Sequence, residues 1–227
     1  MEHNGTSIIL NGNSKTENHS NGHRLTKPFE KLFHGGELRL DDETKMKLIS
    51  SHFKEIMLLL GMDLDDDSLK DTPDRVAKMY VKEIFSGLNP KNNPGITLFE
   101  NKYCYREMLV EKNITLYSTC EHHFVPIIGK AHVAYFSSGK VIGLSKINRL
   151  VHYYAKRPQV QERLTEQIAL ALKEALHTED VAVMIDAAHL CVAARGVGDV
   201  NSSTITSHFS GKFTQEEIKK EFLAYLK

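Results

Sequence analysis

Five side chains able to bind a metal or carry protons fall in two short stretches. Ser118-Thr119-Cys120-Glu121-His122-His123-Phe124 holds a thiol and two imidazoles, and His189-Leu190-Cys191 adds a second thiol and a third imidazole. A Cys-x-x-His spacing lets a tight turn aim both side chains at one point, as a zinc site requires. If the later stretch is a strand, His189 and Cys191 lie two residues apart on one face. A structural zinc takes four protein ligands, usually from paired Cys-x-x-Cys knuckles, and none occur here. Three protein ligands with an open fourth position describe a catalytic site, where the ion lowers the pKa of a bound water from ~15.7 to ~7. Residue types leave open which imidazoles bind the metal. One left outside its shell is available for proton transfer.

Cations recur near these stretches. Lys146 and Arg149 lie three apart at the start of a predicted helix, where free N–H groups favour anions. Arg195 follows four residues after Cys191. A phosphorylated substrate fits this grouping. Arg75 and Lys78 also share a helix face, and their spacing alone reads as a solvated basic stripe. Glu162, at the start of another predicted helix, reads by position as a dipole-stabilising carboxylate or a partner of Arg163. It also has the acceptor geometry to take two N–H donors from a guanine edge. Asp65 to Asp67 lack the alternating ligands and later Glu of a calcium loop and read as a solvated turn.

The whole chain narrows the class. Its 227 residues carry 29 basic and 29 acidic side chains, so net charge is zero. That argues against general nucleic-acid or membrane binding, which shows as a basic excess. The 41% hydrophobic content supports a substantial core, and no apolar run reaches the ~18 residues of a membrane span. The three cysteines do not resemble a disulfide framework, and residues 1–27 lack the n- and h-regions of a signal peptide, so a reducing cytoplasm is expected.

The elements that must position these residues can be read in order. Residues 1–40 form a predicted N-terminal extension, and residues 41–95 a helical region. Within it, periodicity predicts helices over 41–61 and 72–87, the second starting at Thr72 as N-cap with Pro73 in the first position. Residues 96–227 form the predicted catalytic domain. Strands are predicted over 108–117, 127–136, 181–192 and 203–209, and helices over 144–156, 160–176 and 215–226. The order β-β-α-α-β-β implies an α+β fold, an antiparallel sheet with two helices on one face.

Taken together these motifs closely resemble GTP cyclohydrolase I, the zinc-dependent family that converts GTP to 7,8-dihydroneopterin triphosphate and formate. The resemblance rests on Thr72 to Met79, Ser118 to Phe124, Gly143 to Arg149, Arg157 to Thr165 and His189 to Val197, and covers roughly residue 41 to the end. It implies Cys120, His123 and Cys191 as zinc ligands and His122 and His189 as catalytic histidines. It further implies Glu162 on the guanine edge, Lys146, Arg149 and Arg195 on the triphosphate, and Ser145 and Gln161 as polar pocket residues. Arg75 and Lys78 match cations that reach a triphosphate in an adjoining subunit, which overrides the solvated-stripe reading. The implied fold is the tunnelling fold, assembled as a homodecamer of two pentamers with active sites at subunit interfaces. The implied pathway is folate or pterin biosynthesis. Gly198-Asp199 departs from bacterial relatives, which often carry a basic residue at the first position, and is expected to tune the pocket edge. Cys104 matches no motif and is expected to be a free thiol. A related nitrile reductase of deazaguanine metabolism uses a nucleophilic Cys without zinc, and the Cys120/His123 and Cys191 sets argue against it. A non-catalytic zinc module would leave Glu162 and the cations without purpose.

Overall fold

The computed structural model describes residues 40–227, so the predicted N-terminal extension lies outside them except for Leu40. Alternation organises the sheet. In β2 (Leu109–Cys120), Ile114, Leu116 and Ser118 are buried while Thr115 and Tyr117 are exposed, the period of a strand with one face on a core. It pairs antiparallel with β3 (Pro126–Tyr135), β3 with β6 (Val181–His189), and β6 with β7 (Thr204–Phe209). A further strand, β5 (Pro158–Gln159), joins the outer side of β2 in parallel, giving the order β5-β2-β3-β6-β7. Ahead of these, β1 (Leu98–Glu100) forms a separate two-stranded sheet with β4 (Lys140–Ile142).

Two helices cover one face. The helix α3 (Leu144–Ala155) buries Ile147, Leu150 and Val151, and α4 (Gln161–Leu176) buries Leu164, Ile168, Leu172 and Leu176. These meet Leu116, Ile127, Val133, Tyr135, Val183 and Ile185 in the main core, as helical and strand periods predict. This is the α+β tunnelling fold. The last helix, α6 (Glu216–Tyr225), packs through Phe222 and the adjacent Phe213 onto Ala134, Phe136 and Ala182, which alternate to the other face.

The helical region begins with α1 (Asp42–Leu59), capped by the Asp41 carboxylate, which accepts from the Thr44 N–H at 2.9 Å. The predicted second helix is segmented: α2 (Thr72–Met79) passes into a π-helical turn (Tyr80–Ile84) and then a 3-10 turn (Ser86–Leu88). Its N-cap is Asp71, one residue earlier than predicted, which brings Thr72 into the helix and moves Pro73 to the second position. The region is locked to the sheet domain at Gly87. Its N–H donates to Lys156 O at 2.9 Å and its carbonyl accepts from Arg157 Nε at 2.8 Å.

Two other boundaries differ from the sequence reading. The strand predicted over 181–192 ends at His189, because Leu190 begins a single helical turn, α5 (Leu190–Ala193), closed by Ala194 N–H to Leu190 O. Cys191 therefore reaches the site from a helix, not from the strand that carries His189. The second is β5, whose two residues are too few to show a period.

Gly129 marks a close approach of β3 to β6. A Cβ there would lie 2.1 Å from Asp186 O and 2.5 Å from Ala187 Cα, so the two strands would have to part. Gly129→Ala is expected to cost about 1–3 kcal/mol or more through overpacking. A lowered thermal-unfolding midpoint would bear this out, and an unchanged midpoint would refute the close approach.

Candidate functional site

The site forms where the C-terminal ends of β2 and β6 meet the start of β3. Beyond Cys120 the chain reverses in a tight turn: Phe124 N–H donates to Cys120 O at 2.9 Å and Cys120 N–H to Val125 O at 2.9 Å. Phe124 closes it with a left-handed φ of 52°, uncommon for a residue with a large side chain. The Phe124 ring stands 5.4 Å from that of Phe85, which joins the helical region to the turn.

Within this turn Cys120 is buried, and its Sγ lies 3.8 Å from both His122 Nδ1 and His123 Nδ1. Cys191 completes a cluster with only one of these imidazoles. The ligand atoms of Cys120, His123 and Cys191 all lie within 4.8 Å of one another. Atoms bound at about 2.0–2.3 Å around a tetrahedral ion are roughly 3.5–3.8 Å apart, so this set needs little movement to close on zinc. The chemistry of the donors agrees. Burial pushes the Cys191 thiol up, and the neighbouring Cys120 raises it further, with Arg195 partly offsetting both. A doubly charged cation would remove that mutual conflict by taking both sulfurs as thiolates.

The remaining histidine is held from behind. The Gln161 amide nitrogen donates to Thr204 O at 2.8 Å, Ile185 O at 3.1 Å and Thr206 Oγ1 at 3.1 Å. Its oxygen is therefore the atom that faces His189 Nε2, at 2.8 Å, and Nε2 must carry the proton. Burial depresses the His189 pKa, with the Glu162 carboxylate pulling in the opposite direction. Gln161 is buried, and through its oxygen it meets the site at His189. Glu162, one residue on, is exposed and next to His189.

Arg195 Nη1 lies 3.0 Å from His123 Nε2, which brings a cation to the metal cluster as the sequence predicts. The other predicted cations are elsewhere. α3 runs beside β2, with Asn148 Nδ2 donating to Glu111 Oε1 at 3.3 Å and Ser118 Oγ donating to Ala155 O at 2.7 Å. Ser145, Lys146 and Arg149 thus sit along the stretch of β2 before Ser118, on its Glu111 side. Arg149 instead lines a groove of about 350 Å³ with Gly87, Tyr153 and Lys156. Arg75 and Lys78 are exposed on α2, where Arg75 pairs with Asp71 at 3.5 Å. Within one chain the metal-binding half and the α3 cations are apart.

Comparison with known proteins gives the family. The sequence model of GTP cyclohydrolase I matches residues 49–227. The chain belongs to the GTP cyclohydrolase I family. It is 64% identical over 188 residues to GTP cyclohydrolase 1 of Flavobacterium johnsoniae, covering 83% of this chain and 84% of that one. It is 58% identical over 185 residues to GTP cyclohydrolase 1 of Enterobacter sp. (strain 638), covering 81% and 83%. Against GTP cyclohydrolase 1 of Aeromonas hydrophila it is 57% identical over 189 residues, covering 83% and 87%. Among solved structures, the archaeosine synthase QueF-Like in the apo form aligns with a TM-score of 0.40 and 17% identity, over 47% of this chain and 96% of that one. The chain is an enzyme with the family's function, a GTP cyclohydrolase of folate and pterin biosynthesis. Among the described residues no helix is long and apolar enough to cross a membrane.

Cys191→Ala is expected to abolish stoichiometric zinc, measured as metal per purified chain. His189→Ala should retain the metal. Zinc loss from the second variant would put His189 among the ligands and contradict the clustering of His123 with the two thiols.

Proposed function

We propose that this chain hydrolyses GTP at guanine C8 with zinc at Cys120, His123 and Cys191, releasing formate and yielding 7,8-dihydroneopterin triphosphate. The observation that carries the reading is the convergence of those three ligand atoms beside two further imidazoles and an exposed carboxylate. Zinc would supply an acidified water at neutral pH. The protein's own residues do the rest.

Glu162 accepts from guanine N1 and the exocyclic amine. Adenine offers no matching donors and would leave a polar group unpaired, which gives base selectivity. His189 keeps its Nε2 proton on Gln161, so proton exchange with the substrate passes through Nδ1. Neutral Nδ1 accepts and protonated Nδ1 donates, and neither state disturbs the Gln161 bond. Through that atom His189 protonates the imidazole ring nitrogen of the base. His122, exposed beside the ligands, relays protons for the second hydration that releases formate. If His123 held zinc through Nδ1, its imidazole proton would reside on Nε2 and Arg195 would lose its acceptor there. Its guanidinium would then be free for the triphosphate.

The remaining triphosphate contacts come from other copies. Lys146 and Arg149, with Ser145 beside them, approach a metal cluster from an adjoining subunit, as do Arg75 and Lys78. Open strand edges support such joining. Among the described residues β7 is an edge strand, and β5 covers Thr119 and Cys120 of β2 and leaves the earlier length of that edge open. Two pentameric rings forming a decamer in the cytoplasm, with residues 41–95 as the helical region and 96–227 as the catalytic domain, complete the reading.

Zinc-loaded protein incubated with GTP should release one formate per dihydroneopterin triphosphate formed. No turnover by assembled, metal-replete protein would refute the reading. Subunit sharing has its own test. Cys191→Ala and Arg149→Ala should each be nearly inactive alone. Co-assembled in equal amounts they should recover about a quarter of wild-type turnover, because one shared site in four is wholly wild type. No recovery would put Arg149 in the same subunit's site.

A further inference from the structure

The metal-binding turn rests on a buried polar frame to which neither the motif pattern nor the reaction assigns a part. Arg163 sits in the first turn of α4 and is 7% exposed. Its Nη2 donates to Glu121 Oε2 in a short ion pair, and to Pro158 O at 3.0 Å. Its Nε donates to Gln159 Oε1 at 3.0 Å. Gln159 is fully buried, and its amide nitrogen donates to Tyr154 O and to Gln167 Oε1, both at 2.9 Å. The orientation of Gln159 is thus fixed, and its oxygen is left to hold Arg163. The backbone repeats the link, since Glu121 N–H donates to Gln159 O at 3.0 Å.

Glu121 lies between the ligand Cys120 and the proton carrier His122. One carboxylate oxygen takes the Arg163 bond, and the other lies 3.9 Å from His122 Nε2. A surface ion pair of this kind would contribute little, but this one is anchored on a buried guanidinium whose other donors are already placed. His122 itself is exposed, and Glu121 is the charged group beside its ring.

We infer that Arg163 and Glu121 act as a positioning pair for His122, holding the exposed imidazole over the metal cluster from behind the turn. The inference rests on the reading of His122 as a proton relay. Misplacement of a reacting group by about 1 Å can cost up to ~100-fold in rate, so the effect should fall on turnover more than on substrate affinity.

The test uses the full chain, zinc-loaded and assembled. Glu121→Ala should lower kcat roughly ten- to hundredfold with KM for GTP and zinc content little changed. Glu121→Gln, whose amide oxygen can still accept from Arg163, should recover most of the loss. Arg163→Met should resemble Glu121→Ala, and the double variant should be no slower than either single one. If Arg163→Met does not fold, the Ala and Gln variants of Glu121 decide the matter alone. Unchanged kcat in Glu121→Ala, multiplicative losses in the double variant, or loss of zinc with rate would each overturn the pairing. A wild-type protein without turnover would instead refute the reading of the reaction, so the two failures are distinguishable.

Discussion

Two residues of parallel pairing set up the whole site. Pro158 and Gln159 align with Thr119 and Cys120, and this brings the first turn of α4 against the turn that follows β2. Three consecutive residues of that helix then point in three directions, about 100° apart as helical geometry requires. Gln161 turns inward to His189, Arg163 turns to Glu121, and Glu162 stays exposed between them. The two imidazoles proposed to move protons and the carboxylate proposed to read guanine are therefore all tied to one helix terminus. Removing the β5 pairing would disperse all three, although none of the β5 residues is a metal ligand.

Wherever a period was long enough to register, the sequence made the architecture legible. The helices α3 and α4 and the strands β2 and β3 fall within a few residues of their predicted bounds, because each buries one face of a single core. The failures have physical causes. β5 is too short for alternation. The turn at Leu190 looks like strand because Leu, Cys and Val suit either state, and only the hydrogen bond from Ala194 N–H to Leu190 O resolves it. Of the site, the metal-ligand and imidazole types stand out at once. Arg163 does not. Its nearest acid in sequence is Glu162, whereas its actual partner is 42 residues away, a pairing that no local spacing signals.

Zero net charge and a polyanionic substrate are reconciled by distribution. A chain that gathered Arg75, Lys78, Lys146, Arg149 and Arg195 around its own metal would concentrate five like charges with no anion present. Here Arg195 is beside the cluster, and the α3 cations lie farther back along β2. The proposed division of the site between copies would keep that repulsion out of the isolated chain and make assembly a condition of activity.

The chemistry depends most on the number of protein atoms that hold the metal. A closed shell of four would fasten the fold and leave no place for water, whereas three leave an open position. X-ray absorption at the zinc edge of the loaded, assembled enzyme measures this directly. Two sulfurs, one imidazole nitrogen and one light oxygen scatterer are predicted from Cys120, Cys191, His123 and solvent. Two sulfurs with two imidazoles, and no solvent oxygen, would mean that His122 or His189 closes the shell, and would contradict a hydrolytic centre here.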